Sequence, residues 1–302
     1  MNLSRSTFLK LAAAAALASG PAEAQTGARM QTRKIPSTGE QLPVVGCGTW
    51  RVFDVGAAPA ERAPLADVLK VLFEAGGSVI DSSPMYGKAE GVVGDLLAQA
   101  GTRDKAFLAT KVWTSGREAG IAQMNDSFRL FRTDKIDLLQ IHNLLDWQTH
   151  LPTLRAWKKE GRIRYLGATH YTSSAHDQLA AVLKQGGFDF VQVDYSLDDR
   201  SAERRLLPAA ADNGVAVLIN LPFGGGGLLR KVLSRPLPAW AGDIGCTSWA
   251  QLLLKFVLAN KAVTCVIPGT ANPQHMRDNA QAGLGAYPDA AMLQRMLREI
   301  AA

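Results

Sequence analysis

The sequence predicts a single α/β domain: a closed (β/α)8 TIM barrel with an N-terminal β-hairpin and two extra closing helices. Eight short apolar runs alternate with longer amphipathic segments, the pattern of a parallel sheet covered on its outer face. The ends of the central runs, near Asp81, Lys111, His142, Thr169, Asp194 and Asn220, recur every 25 to 31 residues. That is the length of one strand-helix unit, and a closed barrel explains the rhythm better than an open sheet. No Gly-x-Gly-x-x-Gly follows an early run, so the dinucleotide fingerprint of an open sheet is absent.

Residues 1–24 read as an export leader. Arg5 and Lys10 form a basic start, Leu11 to Ala18 is apolar, and Ala22-Glu23-Ala24 supplies the small-x-small pattern for cleavage. The apolar run is too short to span a bilayer, so no stable membrane insertion is expected. Ser4-Arg5-Ser6-Thr7-Phe8-Leu9-Lys10 resembles a twin-arginine signal in which Ser6 replaces the second arginine. Recognition by export machinery would leave the mature protein in the periplasm. Translation from Met30 is the alternative, and would leave it in the cytoplasm.

The barrel domain is expected over residues 31–302. Gln31 to Val44 carries a turn signal, Ser37-Thr38-Gly39-Glu40, between two alternating runs and reads as a hairpin. The predicted strands are Val44–Cys47, Ser78–Asp81, Ala106–Thr110, Ile136–Ile141, Ile163–Ala168, Phe190–Val193, Val215–Ile219 and Val263–Ile267. Helical periodicity marks Ala63–Glu74, Ala89–Gln99, Leu151–Lys159, Ala175–Leu183, Ser201–Ala211 and Trp249–Leu258. Pro273–Ala282 and Asp289–Ala302 are the closing helices, with Pro288 at the start of the second.

Composition narrows the partners. Of 302 residues, 33 are Lys or Arg and 27 Asp or Glu, a net charge of +6. The basic residues are scattered, without a stripe to track a phosphate backbone. Nucleic acid is therefore excluded and a small anionic ligand favoured. Cys47, Cys246 and Cys265 form neither a disulfide framework nor a zinc motif.

Polar residues collect where a barrel places its active site, at the C-terminal strand ends. Asp81, Lys111 and His142 end consecutive strands, Gln192 lies near the end of another, and Tyr86 follows Asp81 by five residues. A free phenol has a pKa of about 10 and is a weak acid at neutral pH. A nearby ammonium favours the phenolate, an aspartate holds that ammonium in place, and a histidine can bond a substrate oxygen. Each residue alone also has a bland explanation: a helix cap, a solvated lysine, a bonded core histidine. Together at one mouth they point to proton transfer.

These segments resemble the aldo-keto reductase family from Ile35 to the last helix. Val79-Ile80-Asp81-Ser82-Ser83-Pro84-Met85-Tyr86-Gly87 is similar to its aspartate-to-tyrosine motif, Ala109-Thr110-Lys111-Val112 to its lysine motif, and Ile136-Asp137-Leu138-Leu139-Gln140-Ile141-His142 to its histidine motif. Ile267-Pro268-Gly269-Thr270 with Asp278-Asn279 is similar to its cofactor-clamping segment. The resemblance implies NADPH bound without a Rossmann domain, Tyr86 as general acid, Lys111 lowering its pKa, Asp81 pairing with Lys111, and His142 orienting a small-molecule carbonyl substrate.

Cofactor contacts are implied residue by residue. Gln192 matches the glutamine that bonds the nicotinamide carboxamide. Thr169-His170 stands where many members have Ser-Asn, and Asn220 where an aromatic ring stacks, with Phe223 able to substitute. The loop from Phe223 and Gly224 through Gly227 reads either as a backbone cradle for pyrophosphate or as a flexible loop. His275 takes the place of an arginine that holds the 2′-phosphate, with Arg277 beyond it, so NADPH is expected and NADH is the alternative. Thr49, Trp50, Asp81, Gly269, Thr270 and Asn279 complete the expected cofactor set. Trp50, Trp113, Asn143 and Trp147 are the expected substrate-pocket residues, packing under the loops being the alternative for the tryptophans.

Two other functions could use the same barrel. A metal-dependent hydrolase would use His142, His170 and Asp194, but His-x-His is absent after the first strand and no metal is expected. An exported, NADPH-binding redox sensor or partner-binding barrel with little turnover is the non-catalytic alternative.

Overall fold

Alternating strands and helices close on themselves in the computed structural model. The structure describes residues 29–301, and the predicted leader at residues 1–24 lies outside them. Eight strands pair in parallel and in chain order: β3 (Cys47–Gly48), β4 (Val79–Asp81), β5 (Phe107–Val112), β6 (Ile136–His142), β7 (Ile163–Thr169), β8 (Phe190–Asp194), β9 (Ala216–Asn220) and β10 (Cys265–Val266). Bridges Val45–Val266 and Gly48–Gly269 join the last strand to the first. The seam is narrow, and a Cβ on Gly48 would lie 2.8 Å from the Ile267 carbonyl oxygen. Only glycine permits that approach.

The strand period of two sorts each run into an inner and an outer face. Val79, Phe107, Ala109, Leu138, Tyr165, Phe190, Ala216, Leu218 and Cys265 fill the barrel interior. The intervening residues, such as Ile80, Leu108, Leu139, Leu166 and Val191, join the larger core under the helices. The predicted hairpin is present as β1 (Thr32–Lys34) and β2 (Gln41–Pro43), paired antiparallel. Its Ile35 and Leu42 enter the interior cluster and plug the N-terminal end of the barrel. The Tyr165 hydroxyl donates to Glu40 there, at 2.5 Å.

Helices cover the outside: α1 (Pro59–Glu74), α2 (Ala89–Ala100), α3 (Arg117–Leu130), α4 (Trp147–Lys159), α5 (His176–Leu183), α6 (Leu206–Asp212), α7 (Gly227–Leu233) and α8 (Trp249–Ala259). The closing helices are α9 (Pro273–Gln281), which packs on α1, and α10 (Ala290–Ala301). The predicted helix Ser201–Ala211 is broken, because Arg205 adopts φ −141° and ψ −45° between a short 3₁₀ turn, Ser201–Arg204, and α6. α4 begins a turn earlier than its apolar period suggests, at Trp147. Among the described residues no helix is long and apolar enough to cross a membrane.

Candidate active site

Strand alternation carries five polar side chains inward above the apolar interior. They are Asp81 on β4, Lys111 on β5, Gln140 on β6, Thr169 on β7 and Gln192 on β8, all almost fully buried. His142, two residues beyond Gln140, shares its face at the strand end. Asp81 is the hub. Its Oδ2 accepts from Lys111 Nζ at 2.8 Å, and its Oδ1 accepts from Gln192 Nε2 at 2.7 Å and Gln140 Nε2 at 3.2 Å. Lys111 donates again to the Ser82 carbonyl at 2.6 Å, and Thr169 donates to Gln192 Oε1 at 3.1 Å. Burial disfavours the Lys111 charge, but Asp81 and Tyr86 beside it outweigh burial and raise its pKa.

Tyr86 reaches this layer from the turn after β4, where its N–H bonds the Ser83 carbonyl at 2.9 Å. Lys111 Nζ lies 5.0 Å from its ring centroid. The expected downward pull of Lys111 on the phenol is present, yet the net shift is upward because burial is the larger effect. The phenol thus keeps its proton at neutral pH, with a cation at hand to receive the charge when the proton leaves. His142 stands edge-on to Tyr86, with centroids 6.1 Å apart and planes at 86°. Burial first, then the Lys111 charge and His170, push the imidazole down to about 2, so it is neutral. A phenolic O–H and a neutral imidazole side by side can both bond a carbonyl oxygen, and the phenol can protonate it.

The predicted pocket residues divide. The Trp113 ring lies 6.3 Å from His142, and Gln123 pins its backbone through bonds of 2.5 and 3.2 Å to its N–H and carbonyl. Trp50 is exposed beneath the Arg51 guanidinium, 4.3 Å from its ring. Trp147, the first residue of α4, is half-buried and packs against the helical core. Asn143 adopts φ +54° just past β6. Arg51 after β3, Leu144 and Asp146 after β6, and Leu221 after β9 are also left-handed, so backbone strain collects at the mouth.

The predicted cofactor residues lie on separate elements. Thr49 is buried and donates to the Asp81 carbonyl at 3.0 Å. His170 Nδ1 accepts the Tyr171 and Thr172 N–H groups at 3.1 and 3.2 Å. Asn220 Nδ2 donates to the His170 carbonyl at 3.4 Å, while the buried Oδ1 atoms of Asn143 and Asn220 have no hydrogen-bond partner among the described residues. Phe223 packs on the core, and Gly224 has φ +57° in a turn where a Cβ would lie 2.6 Å from Asp198 Oδ2. Gly269 adjoins Gly48 at the seam, Thr270 and Asn279 are buried, and His275 is exposed on α9.

Two contributors are not singled out by the sequence reading. Gln140 carries the strand-period signal two residues before His142, but a buried amide has no chemistry of its own to mark it. Ser83, whose Oγ lies 3.0 Å from His142 Nδ1, has no sequence signal at all.

The family model described as the aldo/keto reductase family matches residues 44–294. Methylglyoxal reductase YeaE of Escherichia coli (strain K12) is 31% identical over 263 residues, covering 83% of this chain and 89% of its own. The NADH-specific methylglyoxal reductase of the same organism is 27% identical, covering 83% and 93%. A crystal structure of an aldo-keto reductase from Klebsiella pneumoniae in complex with NADPH matches with a TM-score of 0.76 at 26% identity, covering 90% of this chain and 95% of that one.

Proposed function

The chain belongs to the aldo/keto reductase family and is an NAD(P)H-dependent oxidoreductase acting on carbonyl groups; from this we propose that it reduces an aldehyde or ketone with NADPH, Tyr86 serving as general acid. The observation that carries the acid role is a phenol held protonated by burial beside the Lys111–Asp81 pair and edge-on to a neutral His142. When bound, NADPH supplies the hydride.

The residues present suit that cofactor. The unpartnered oxygens of Asn143 and Asn220 border the mouth and call for N–H donors, which a nicotinamide carboxamide offers. Thr169, His170, Gln192 and Asn220 would hold the nicotinamide end, and Phe223 and Gly224 the pyrophosphate. Gly269, Thr270, His275 and Asn279 would hold the adenosine end. With a histidine where a 2′-phosphate arginine is usual, NADH is the alternative donor.

His142 and Tyr86 orient the carbonyl oxygen, and Tyr86 delivers a proton to it. Lys111 then stabilises the phenolate, while Asp81, fixed by Gln140 and Gln192, keeps Lys111 in place. Two relatives are named for methylglyoxal, so a short 2-oxoaldehyde heads the substrate panel. Tyr86→Phe is expected to abolish turnover while NADPH, titrated by fluorescence, binds as before. Full activity in that variant would overturn the mechanism.

The leader pattern at residues 1–24 supports export to the periplasm, with cleavage after Ala24. Mass spectrometry of the protein from a periplasmic fraction should find Gln25 at its N-terminus. An uncleaved protein confined to the cytoplasm would reject it.

A further inference from the structure

We propose that Ser83 is a positioning residue that fixes His142 as the Nε2–H tautomer, turning its proton toward the substrate carbonyl. The catalytic consequence rests on the function proposed above; the tautomer assignment does not.

The geometry is local and closed. Ser83 is fully buried and His142 nearly so, with Ser83 Oγ 3.0 Å from His142 Nδ1. The Met85 N–H also points at Ser83 Oγ, at 3.4 Å. That contact fills a lone pair on the hydroxyl and leaves its own proton to be placed. Of the two groups bonded to Ser83 Oγ, Met85 N is a donor, so His142 Nδ1 is the acceptor available. A proton on Nδ1 would strand the buried hydroxyl hydrogen, which is costly. With Nδ1 accepting and the imidazole neutral, the ring proton resides on Nε2.

Ser83 acts on the second reacting group as well. Its carbonyl accepts the Tyr86 N–H at 2.9 Å and so shapes the turn that delivers the phenol. One residue thereby ties Tyr86 through its backbone and His142 through its side chain. Substituting the side chain removes the tie to His142 together with the Met85 N–H contact and leaves the backbone tie to Tyr86 in place, so the His142 tautomer is the readout that decides the proposal.

The test uses protein labelled with nitrogen-15 histidine, the His142 signals being identified by their loss in His142→Asn. The parent protein should show Nε2 protonated and Nδ1 unprotonated. Ser83→Ala should show a mixed or reversed tautomer and about a tenfold lower kcat, one hydrogen bond's worth. KM for the carbonyl and Kd for NADPH should stay within about twofold. Ser83→Thr keeps the hydroxyl and should restore the parent tautomer and most of kcat, with thermal midpoints showing that both variants fold. A parent His142 protonated on Nδ1 would overturn the proposal. So would a Ser83→Ala variant with the parent tautomer, whatever its kcat. If Tyr86→Phe proved fully active, the reductase mechanism would fall while the spectra still decided the role of Ser83.

Discussion

Gly167 on β7 faces Gln140 on β6 so closely that a Cβ on the glycine would lie 2.8 Å from Gln140 Cγ. The two are register partners in the parallel pair, and the missing side chain of one makes room for the amide of the other. Gln140 uses that room to donate to Asp81.

Gly167→Ala should therefore disturb the site from the barrel interior. Overpacking at this point is expected to cost about 1–3 kcal/mol and to push the amide off Asp81. A lower denaturation midpoint with a several-fold fall in kcat is the expected result. Unchanged values for both would mean that the strands part easily.

Asp81→Asn should be far more harmful to stability than an exposed ion-pair loss. Lys111 is fully buried, and removing its carboxylate leaves an uncompensated ammonium. Breaking a buried pair on one side costs about 3–5 kcal/mol. Asp81→Asn with Lys111→Met should regain much of that stability without regaining activity. Denaturant midpoints of the single and double variants check this, and an Asp81→Asn midpoint equal to the parent's would refute it.

The pH profile of carbonyl reduction should be flat through the ordinary histidine range. His142 normally titrates near 6.5, but burial, assisted by Lys111, pushes it down to about 2, so it stays neutral as pH falls from 7 to 5. Tyr86 must be protonated to act, and its pKa is raised above the usual 10 by burial. Activity should thus decline only in the alkaline range, as the phenol loses its proton. A limb centred near 6.5 in kcat that vanishes in His142→Gln would contradict the neutral imidazole.

His275→Arg should sharpen the choice of cofactor. His275 and Arg277 are exposed near the start of α9, and Arg277 already donates to Gln274 Oε1 at 3.0 Å. A second guanidinium there should tighten NADPH by about tenfold through a charge-assisted bond and leave NADH unchanged. Fluorescence titrations with both nucleotides give the comparison; equal tightening of the two would place His275 away from the 2′-phosphate.

The barrel and its inner polar layer were readable because two simple periods coincide. Strand ends recur at one strand-helix length, and alternation within each strand turns Asp81, Lys111 and His142 to one side. The same alternation marks Gln140, yet an amide offers no reactivity to draw attention. Ser83, in the turn after β4, and His142, at the end of β6, are 59 residues apart with β5 between their strands, a contact that no local pattern encodes. The direction of the Tyr86 shift was equally hidden, since charge partners are visible in a sequence and the depth of burial is not. Trp147 follows a strand end, which suited either the pocket wall or packing under the loops, and its half-burial against the helical core is a depth that no local pattern states.

The joint between β3 and β10 gives the molecule an order of assembly. Strands β4 to β9 can pair as they emerge, each beside its predecessor, but the circle shuts only when residues near Val266 return to Val44 and Gly46. Gly269 and Thr270, at this joint, exist as part of a site only after that return. A chain stopped short of Cys265 would therefore be an open sheet with two raw edges, exposed to pairing with its neighbours. A small molecule gripped from both sides of the joint would act as a clasp, slowing amide exchange at Gly46 and Val266 more than in the strands opposite.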